Sequence, residues 1–405
     1  MNVLIYADAH LYKTGDGRVW AKTIYGYEFW KRYLNIFDNI IVMARMQEVH
    51  FSKTEGFLES SGAGVSFIGL PMVIGSQNKI GYITNFPQIV KIVRESIKTA
   101  DCAIFRVPAV MGYIVLHYFI KTGKPFSLEI IINPFNAAGN KLERQIMGDY
   151  LKKVVGKANG VSYVTQYYLQ KLFPSYASIH GDSEQYFESY YSSISIKSNY
   201  FTASRNYMNH AGDFKIIHVA NQMNNEVKGH RVVIDVTNRL RELGYHIQTY
   251  LIGDGTKRRE YEEYVCSIGL NEVIHFVGLL SSAEEVRKWL LNADLFLFPS
   301  KAEGLPRSLI EAMAVGLPCI STPVDGIPEL LPADCLILPM DTEGFVKKII
   351  ALLNAPECLN EMSKQNVSKA KDYEESILQH RRDIFYDRLK KLALKQARDK
   401  SNRNI

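Results

Sequence analysis

The chain has 405 residues, of which 47% are hydrophobic and 22% are charged, and its formal net charge at pH 7 is +6. This composition is typical of a globular protein and excludes a long disordered or collagen-like chain. The length predicts two domains, each large enough to bury its own sheet. The mild positive charge favours anionic partners such as phosphates or acidic lipid surfaces, and we expect no nucleic-acid partner.

The cysteine pattern and the lack of long apolar runs bear on the cellular location. Five cysteines are scattered along the chain without CxxC spacing, which argues for a reducing compartment and against a structural zinc site. Residues Met1 to Ala7 lead into an apolar strand pattern without a basic n-region, and no segment reaches the roughly 18 apolar residues of a spanning helix. We expect a cytoplasmic protein, with peripheral contact to the cytosolic face of a membrane as an open alternative.

The first half of the chain alternates strand-like and helix-like patterns. Strands are predicted at residues 2–7, 39–44, 65–70, 103–107, 126–132 and 161–164. Helices are predicted at residues 20–34, 87–99, 114–121 and 142–157. Short apolar strands that alternate with helices are typical of a parallel sheet covered on both faces.

The alternation stops between about 175 and 213, where Ser, Tyr and Asn are frequent, and we interpret this stretch as the connection between domains. Strands are predicted again at residues 214–219, 247–252, 273–277, 295–298 and from 318. Helices are predicted at 230–243, 257–268 and 282–291, and before Gly316. We therefore place one Rossmann-like domain at 1–200 and a second at 201–370. Residues 371–405 form a helical segment with a basic tail, expected to cross back to the first domain.

The most informative segment follows the strand at 295–298 and reads PSKAEGLPRSLIEAMA. Gly304 permits a sharp turn of the backbone, and Pro306 suits the first turn of a helix. A helix N-terminus beside the carboxyl end of a parallel strand offers backbone donors and the positive end of a dipole. A nucleotide diphosphate fits such a site.

Two glutamates frame this segment. Glu303 is expected in the loop before the helix and Glu311 more than one turn inside it, so they cannot share a proton as a close pair. They can hold two different hydroxyl-bearing parts of one long ligand. The alternative is that each is a solvated surface glutamate. No Asp-x-Asp pair follows an apolar strand, so we expect no metal, and basic side chains and the helix end would stabilise a leaving diphosphate.

An ordered set of fragments between Val219 and Glu329 resembles the retaining glycosyltransferases of family 4, also called group 1. Besides the segment above, the set comprises Lys228-Gly229, Gly253-Asp254-Gly255, Phe276-Val277-Gly278, Ala293-Asp294-Leu295-Phe296 and Gly316-Leu317-Pro318. In the first half, residues 29–34, 106–108 and 161–165 resemble a branch associated with surface polysaccharide assembly. The resemblance implies the α/β GT-B fold, in which two doubly wound Rossmann-like domains face each other across a cleft. The first domain would bind the acceptor and the second the nucleotide sugar.

The resemblance also implies roles for individual residues of the second domain. Glu311 would hold the ribose hydroxyls, Glu303 the hydroxyls of the transferred sugar, and Lys228 would neutralise the diphosphate. Where family members usually carry an arginine, this chain has Asn221, and we take Arg307 as its substitute. The residues expected to face the base, sugar or phosphate through their backbone are Val277, Gly278, Gly304, Leu305 and the neighbours of Pro306.

Candidates on the acceptor side come from strand ends in the first domain. Asp16 and Gly17 lie in a loop after the first strand and could touch the acceptor or the diphosphate; a mobile polar loop is the alternative. Glu129 is a candidate acceptor-side carboxylate. Arg106 could bind an anionic acceptor or pair with a neighbouring acid. The basic helix at 142–157 could lie on an anionic membrane, or it could be a core-packed helix with a solvated basic face.

These expectations together predict a metal-independent glycosyltransferase without a cofactor. It would move a hexose-type sugar, with retention, from a nucleotide-diphosphate donor to a glycan or lipid-linked acceptor in surface polysaccharide biosynthesis. A sugar-nucleotide epimerase on the same scaffold is the alternative. A nicotinamide dehydrogenase is disfavoured because Arg258 stands where the dinucleotide fingerprint begun by Gly253 and Gly255 needs a third glycine.

Overall fold

The computed structural model describes residues 1–73, 79–136, 140–208 and 212–403. These residues pack as two compact units, one formed by Met1–Tyr191 with Gln379–Ile405 and the other by Ser192–Leu378. The chain changes units at 191/192 and 378/379, where the residue pattern placed the changes at 200/201 and 370/371.

The first unit is built on a mainly parallel sheet. Its described strands are β1 (Asn2–Lys13), β2 (Val19–Ala21), β3 (Asn39–Glu48), β4 (Leu58–Glu59), β5 (Val65–Leu70), β6 (Cys102–Val107), β7 (Phe126–Ile130), β8 (Gly160–Tyr163) and β9 (Phe187–Tyr190). Parallel pairing runs in the order β5-β3-β1-β6-β7-β8-β9, while β2 and β4 pair antiparallel beside the end of β1. Every residue of β6 and β7 is buried, as expected for central strands covered on both faces.

Helices cover this first sheet. They are α1 (Tyr27–Leu34), α2 (Lys79–Ser96), α3 (Val110–Ile120), α4 (Lys141–Val155), α5 (Tyr168–Leu172) and α6 (Tyr176–His180). The last helix of the chain, α13 (Glu375–Arg403), begins in the second unit and packs for most of its length on the first. Its Tyr386 is buried and stacks on Tyr33 of α1, with ring centroids 4.9 Å apart.

The start of the chain differs from the prediction. The first strand does not end at Ala7 but continues, with a bulge between Tyr6 and His10, to Lys13. It then turns back into β2, so Trp20 lies in a strand and the helix predicted from residue 20 begins only at Tyr27. Cross-strand pairing therefore outweighs the amphipathic pattern that residues 20–34 show.

In the part of the chain that the structure describes, the second unit has a five-stranded parallel sheet. Its strands are β10 (Phe214–Gln222), β11 (Ile247–Asp254), β12 (Ile274–Gly278), β13 (Leu295–Phe298) and β14 (Cys319–Ser321), in the order β12-β11-β10-β13-β14. Its helices are α7 (His230–Glu242), α8 (Arg258–Ser267), α9 (Ala283–Leu291), α10 (Arg307–Ala314), α11 (Thr342–Leu353) and α12 (Pro356–Ala370). The stretch before β10 is held by Arg205, whose guanidinium donates to three backbone carbonyls of this unit.

Because all five strands are parallel, their carboxyl ends lie along one edge of the sheet. The loops that carry the residues predicted for a nucleotide sugar all leave from that edge. Among the described residues, no helix combines the length and the apolar character that crossing a membrane requires.

Candidate functional site

The strand order of the second sheet reverses between β10 and β13, which lie side by side. β10 leads through α7 to β11 on one side, and β13 leads through α10 to β14 on the other. In open parallel sheets such a reversal leaves a crevice at the carboxyl ends of the strands, where ligands bind. We call the crevice between the loops after β10 and β13, with the start of α10, the switch-point site.

Lys228 and Glu303 meet directly in the switch-point site. The Nζ atom of Lys228 lies 2.5 Å from Oε1 of Glu303. Glu303 is only 7% exposed, whereas 31% of the Lys228 side chain remains accessible. Lys228 therefore neutralises a buried carboxylate while part of its own side chain stays accessible.

Gly229 sets the position of Lys228. Its φ of 78° lies in the left-handed region, and α7 begins at the next residue. A Cβ atom at this position would lie 2.2 Å from the carbonyl oxygen of Pro299, which no side chain tolerates. The Val227 carbonyl also accepts a hydrogen bond from the Lys301 amide at 2.8 Å. The loops after β10 and β13 are thus joined backbone to backbone and hold their charged residues in register.

A second set of bonds orients Glu303. The Ser300 hydroxyl donates to Oε1 of Glu303 at 2.8 Å, and the Glu303 amide donates to Oδ2 of Asp325 at 2.7 Å. Asp325 has a φ of 49°, which is uncommon outside glycine, and the amide of Gly326 donates to the carbonyl of Gly304 at 3.2 Å. The loop after β14 therefore holds the turn that carries Glu303. The residue pattern did not single out Asp325, whose sequence signal is an Asp-Gly pair typical of a turn.

Helix α10 begins directly after this turn. Pro306 is its N-cap residue, and the first turn carries no acidic side chain. The first backbone amides of a helix need partners outside it, so this end can donate to an anion. Gly304, Leu305 and Pro306 are buried in the turn between Glu303 and the helix, while Arg307 is exposed.

Glu311 lies in the second turn of α10. Burial raises the pKa of its carboxyl group to about 7, against an opposing effect of the Arg307 charge. Glu303 is buried and Glu311 half-buried, so neither is the freely solvated surface glutamate of the alternative interpretation. A carboxyl group with this pKa changes its charge near neutral pH.

Tyr200, in the stretch before β10, lies near Glu311. Burial, and after it the charge of Glu311, raises the pKa of Tyr200. Its buried hydroxyl has no hydrogen-bond partner among the described residues, and the guanidinium of Arg287 lies 5.4 Å from its ring centroid. The residue pattern assigned this stretch to a connection and missed Tyr200, because nothing in the local sequence ties it to a helix more than a hundred residues later.

The residues predicted to face a nucleotide base lie at the end of β12. Gly278 closes this strand with a φ of 89°, and Leu279 after it is 60% exposed. Arg258 donates to the Phe276 carbonyl at 3.2 Å and holds the strand end. Val277 and Gly278 are therefore at the same edge of the sheet as Lys228, on the second strand from β10, and their contact with a base stays a prediction.

Comparison with known proteins identifies the domain that carries this site. Residues 213–355 match the family model described as Glycosyl transferases group 1. This part of the chain is a group 1 glycosyltransferase domain. A protein named CapJ from Staphylococcus aureus is 25% identical over 353 residues, which cover 86% of this chain and 84% of CapJ. The putative colanic acid biosynthesis glycosyltransferase WcaL of Escherichia coli K12 is 35% identical over 135 residues, covering 31% of this chain and 33% of WcaL.

Solved structures show the fold. Sucrose-phosphate synthase from Thermosynechococcus elongatus superposes with a TM-score of 0.69 at 14% identity, over 96% of this chain and 99% of that one. HepE of Anabaena, in complex with UDP and glucose, gives a TM-score of 0.64 at 16% identity, over 94% and 98%. The predicted GT-B fold is confirmed. The epimerase alternative is not favoured by the relatives named here.

The group 1 domain contains all the residues predicted for the nucleotide sugar. They are Lys228, Val277, Gly278, Glu303, Gly304, Leu305, Pro306, Arg307 and Glu311. The structure brings Lys228 and Glu303 into direct contact and places Glu311 farther along the helix that follows. Their contacts with a ligand stay predictions.

Outside the group 1 domain, the structure pairs Glu129 with Arg106 instead of presenting either to a ligand. Both residues are at most 5% exposed, and Nη1 of Arg106 donates to Oε2 of Glu129. The Glu129 carboxylate also accepts from the hydroxyls of Tyr33 at 3.3 Å, Tyr191 at 3.2 Å and Tyr386 at 2.6 Å. We correct our expectation for both residues accordingly: Arg106 takes the alternative of pairing with an acid, and Glu129 is enclosed by partners of its own unit.

Asp16 and Gly17 form the tip of the β1–β2 hairpin. The Asp16 carboxylate accepts from the Thr14 hydroxyl at 2.5 Å and from Nε of Arg18 at 2.7 Å, and these bonds lower its pKa to about 2. Gly17 has a φ of 86° and open space where a Cβ would be. The two residues thus lie in the turn of a hairpin, and their contact with an acceptor stays a prediction.

Proposed function

We propose that this chain is a metal-independent, retaining glycosyltransferase of surface polysaccharide biosynthesis. It would transfer a hexose-type sugar from a nucleotide-diphosphate donor to a glycan or lipid-linked acceptor. The donor would bind in the switch-point site of the group 1 domain. The Lys228–Glu303 pair is the observation that carries this proposal.

The pair is suited to exchange partners when a donor enters. An incoming diphosphate would attract the ammonium group of the partly exposed Lys228 side chain, since charge-assisted hydrogen bonds to phosphate are strong. The Glu303 carboxylate would then accept hydrogen bonds from sugar hydroxyls in place of the ammonium. Ser300 and Asp325 hold Glu303 in position in either case, so little reorganisation is needed.

Glu311 would take the other end of the donor. Both ribose hydroxyls can donate hydrogen bonds, and an ionised carboxylate accepts two at once. Because burial raises the pKa of Glu311 to about 7, its protonated form competes with this role in mildly acidic solution. Donor binding would therefore draw the carboxyl group towards its ionised form.

The same site would stabilise the leaving group. As the bond between the anomeric carbon and the diphosphate breaks, negative charge grows on the diphosphate oxygen. The first-turn amides of α10, the Lys228 ammonium and Arg307 are the donors and charges available there. The acceptor oxygen forms the new bond to the anomeric carbon, and its proton passes to the departing diphosphate. No metal ion is assigned to any of these steps.

Names of related proteins support the pathway and suggest the first donors to test. Two relatives are named as biosynthesis glycosyltransferases for colanic acid and for amylovoran. One structural neighbour, HepE, was solved with UDP-glucose. These names favour polysaccharide assembly and make UDP-hexoses the first candidates.

The test is a calorimetric screen of UDP-, GDP- and ADP-sugars in buffer containing a metal chelator. We expect one nucleotide class to bind in chelator, and free nucleoside diphosphate to appear only when an acceptor is added. Release of diphosphate without any acceptor, or product that is an isomer of the donor, would point to a different reaction. Failure of folded protein to bind any of these donors would refute the proposal.

A further inference from the structure

Helices α2, α3 and α4 of the first unit enclose an apolar groove that the switch-point site does not use. The groove has a volume of about 600 Å³. Aliphatic and aromatic side chains dominate its lining, which includes Tyr82, Ile83, Phe86, Tyr113, Ile146 and Tyr150. Such walls offer water few hydrogen bonds. The groove therefore favours an apolar occupant.

Exposed apolar side chains border the groove on two sides. On α2, Ile80 is 76% exposed, Ile83 72% and Phe86 44%. On α4, Leu142 is 67% exposed and Ile146 59%. Single exposed apolar residues are ordinary, but two such rows beside an apolar groove mark an interaction surface.

Helix α4 is apolar on more than its core side. Met147, Leu151 and Val154 are buried against the unit, as a core-packed helix requires. Leu142 and Ile146 belong to a second apolar side that the unit leaves open. The alternative of a core-packed helix with a solvated basic face therefore explains the buried apolar side chains of α4 but not the exposed ones.

The surroundings of the groove are strongly basic. Residues 79–96, 110–121 and 141–155 contain eight Lys and Arg but three Asp and Glu, whereas the whole chain has 48 and 42. Arg94 and Lys121 are exposed, and their charged groups lie 5.1 Å and 5.2 Å from the ring centroid of Tyr118, which lines the groove. Two copies of this surface would repel each other, while an anionic lipid surface would be attracted.

We propose that this surface of α2, α3 and α4, the α2–α4 surface, docks on a bilayer that contains anionic lipids. The exposed Ile, Leu and Phe side chains enter the boundary between headgroups and acyl chains, and acyl chains fill the groove. The surrounding Lys and Arg side chains pair with lipid phosphates. Tyrosines in the lining suit this depth, since their rings are apolar and their hydroxyls polar. This inference is independent of the proposed reaction.

Sedimentation with lipid vesicles tests the proposal. The full chain is mixed with vesicles of phosphatidylcholine alone and with vesicles in which about a third of the lipid is phosphatidylglycerol. We expect the protein to sediment with the anionic vesicles, much less with the neutral ones, and less in high salt, because salt screens the attraction. No sedimentation with anionic vesicles would overturn the proposal.

Variants assign the binding to this surface. The double variants Ile83→Ser/Ile146→Ser and Arg94→Glu/Lys121→Glu should each lower partitioning by about tenfold or more. Leu338→Ser, which removes a side chain of similar exposure (66%) from the second unit, should leave it unchanged. Thermal unfolding and binding of a nucleotide sugar establish that each variant is folded. Equal partitioning of the double variants and the wild type would overturn the proposal. So would a wild-type dimer that becomes a monomer in Ile83→Ser/Ile146→Ser, because the surface would then bind a second copy of the chain.

Discussion

Two buried carboxylates, one in each unit, face a basic side chain in very different ways. In the first unit, Arg106 and three tyrosines enclose Glu129, and 6% of the Arg106 side chain is exposed. In the second unit, Glu303 faces Lys228, of which 31% is exposed. The first carboxylate has its partners within the protein, while the cation of the second can turn to a ligand. Burial and an ion pair alone therefore do not distinguish the two carboxylates; the accessibility of the basic partner does.

The largest expected effect is the loss of stability when the enclosed Glu129–Arg106 pair is broken. Glu129→Ala leaves the Arg106 guanidinium buried without its counter-charge, which should lower the free energy of unfolding of the first unit by about 3–5 kcal/mol. Chemical denaturation checks this. Asp16→Ala, which removes a carboxylate from an exposed pair, should leave the unfolding transition nearly unchanged. If Glu129→Ala lowered the free energy of unfolding as little as Asp16→Ala does, the enclosed Glu129–Arg106 pair would contribute no more to stability than an exposed pair.

The accessible pair should behave in the opposite manner. Glu303→Gln should lower the rate of sugar transfer by about 10- to 150-fold, since a hydrogen bond to a charged group contributes about 1.5–3 kcal/mol. Its effect on unfolding should be much smaller than that of Glu129→Ala. Steady-state kinetics and denaturation on the same preparation measure both. A fully active Glu303→Gln variant would contradict the assignment.

Comparison of Gly229, which lies in the switch-point site, with Gly244, which follows α7, separates the steric cost of a Cβ atom from its conformational cost. Gly229 and Gly244 have φ values of 78° and 86°, but a Cβ meets Pro299 only at Gly229 and open space at Gly244. Both Ala variants should incur the left-handed cost of about 1–2 kcal/mol. Gly229→Ala should be destabilised further and should also bind the donor less tightly. Equal thermal shifts and unchanged donor affinity for the two variants would refute the positioning role of Gly229.

The smallest expected effect is a pH dependence that comes from Glu311. Because its pKa is raised to about 7, the free protein holds this proton where an unfolded chain does not, so the group's contribution to stability is lost as pH rises from about 4.5 to about 7. Donor affinity should change in the other direction and rise with pH until it levels off above about 7. Calorimetry between these limits measures it, and Glu311→Gln should flatten the curve. If donor affinity changed with pH equally steeply in Glu311→Gln, Glu311 would be excluded as the source of the pH dependence.

Local patterns predicted the second unit well and the first unit less well. The loop of Glu303 and the start of α10 follow from glycine, proline and strand signals that are close together in the sequence. The enclosure of Glu129 was beyond such reasoning, because Tyr386 approaches it from 257 residues away along the chain. The β1–β2 hairpin was missed because residues 20–34 also carry a helical pattern. Contacts that tertiary packing creates leave little trace in the local sequence.

The crevice between β10 and β13 is proposed to receive the diphosphate of the donor. The most direct test is a calorimetric titration, in chelator, of the nucleoside diphosphate of the preferred donor. Lys228→Ala should bind it at least about tenfold more weakly than the wild type. Lys364→Ala, which removes an exposed lysine of α12, should bind it as the wild type does. Equal affinity of Lys228→Ala and the wild type would contradict the account.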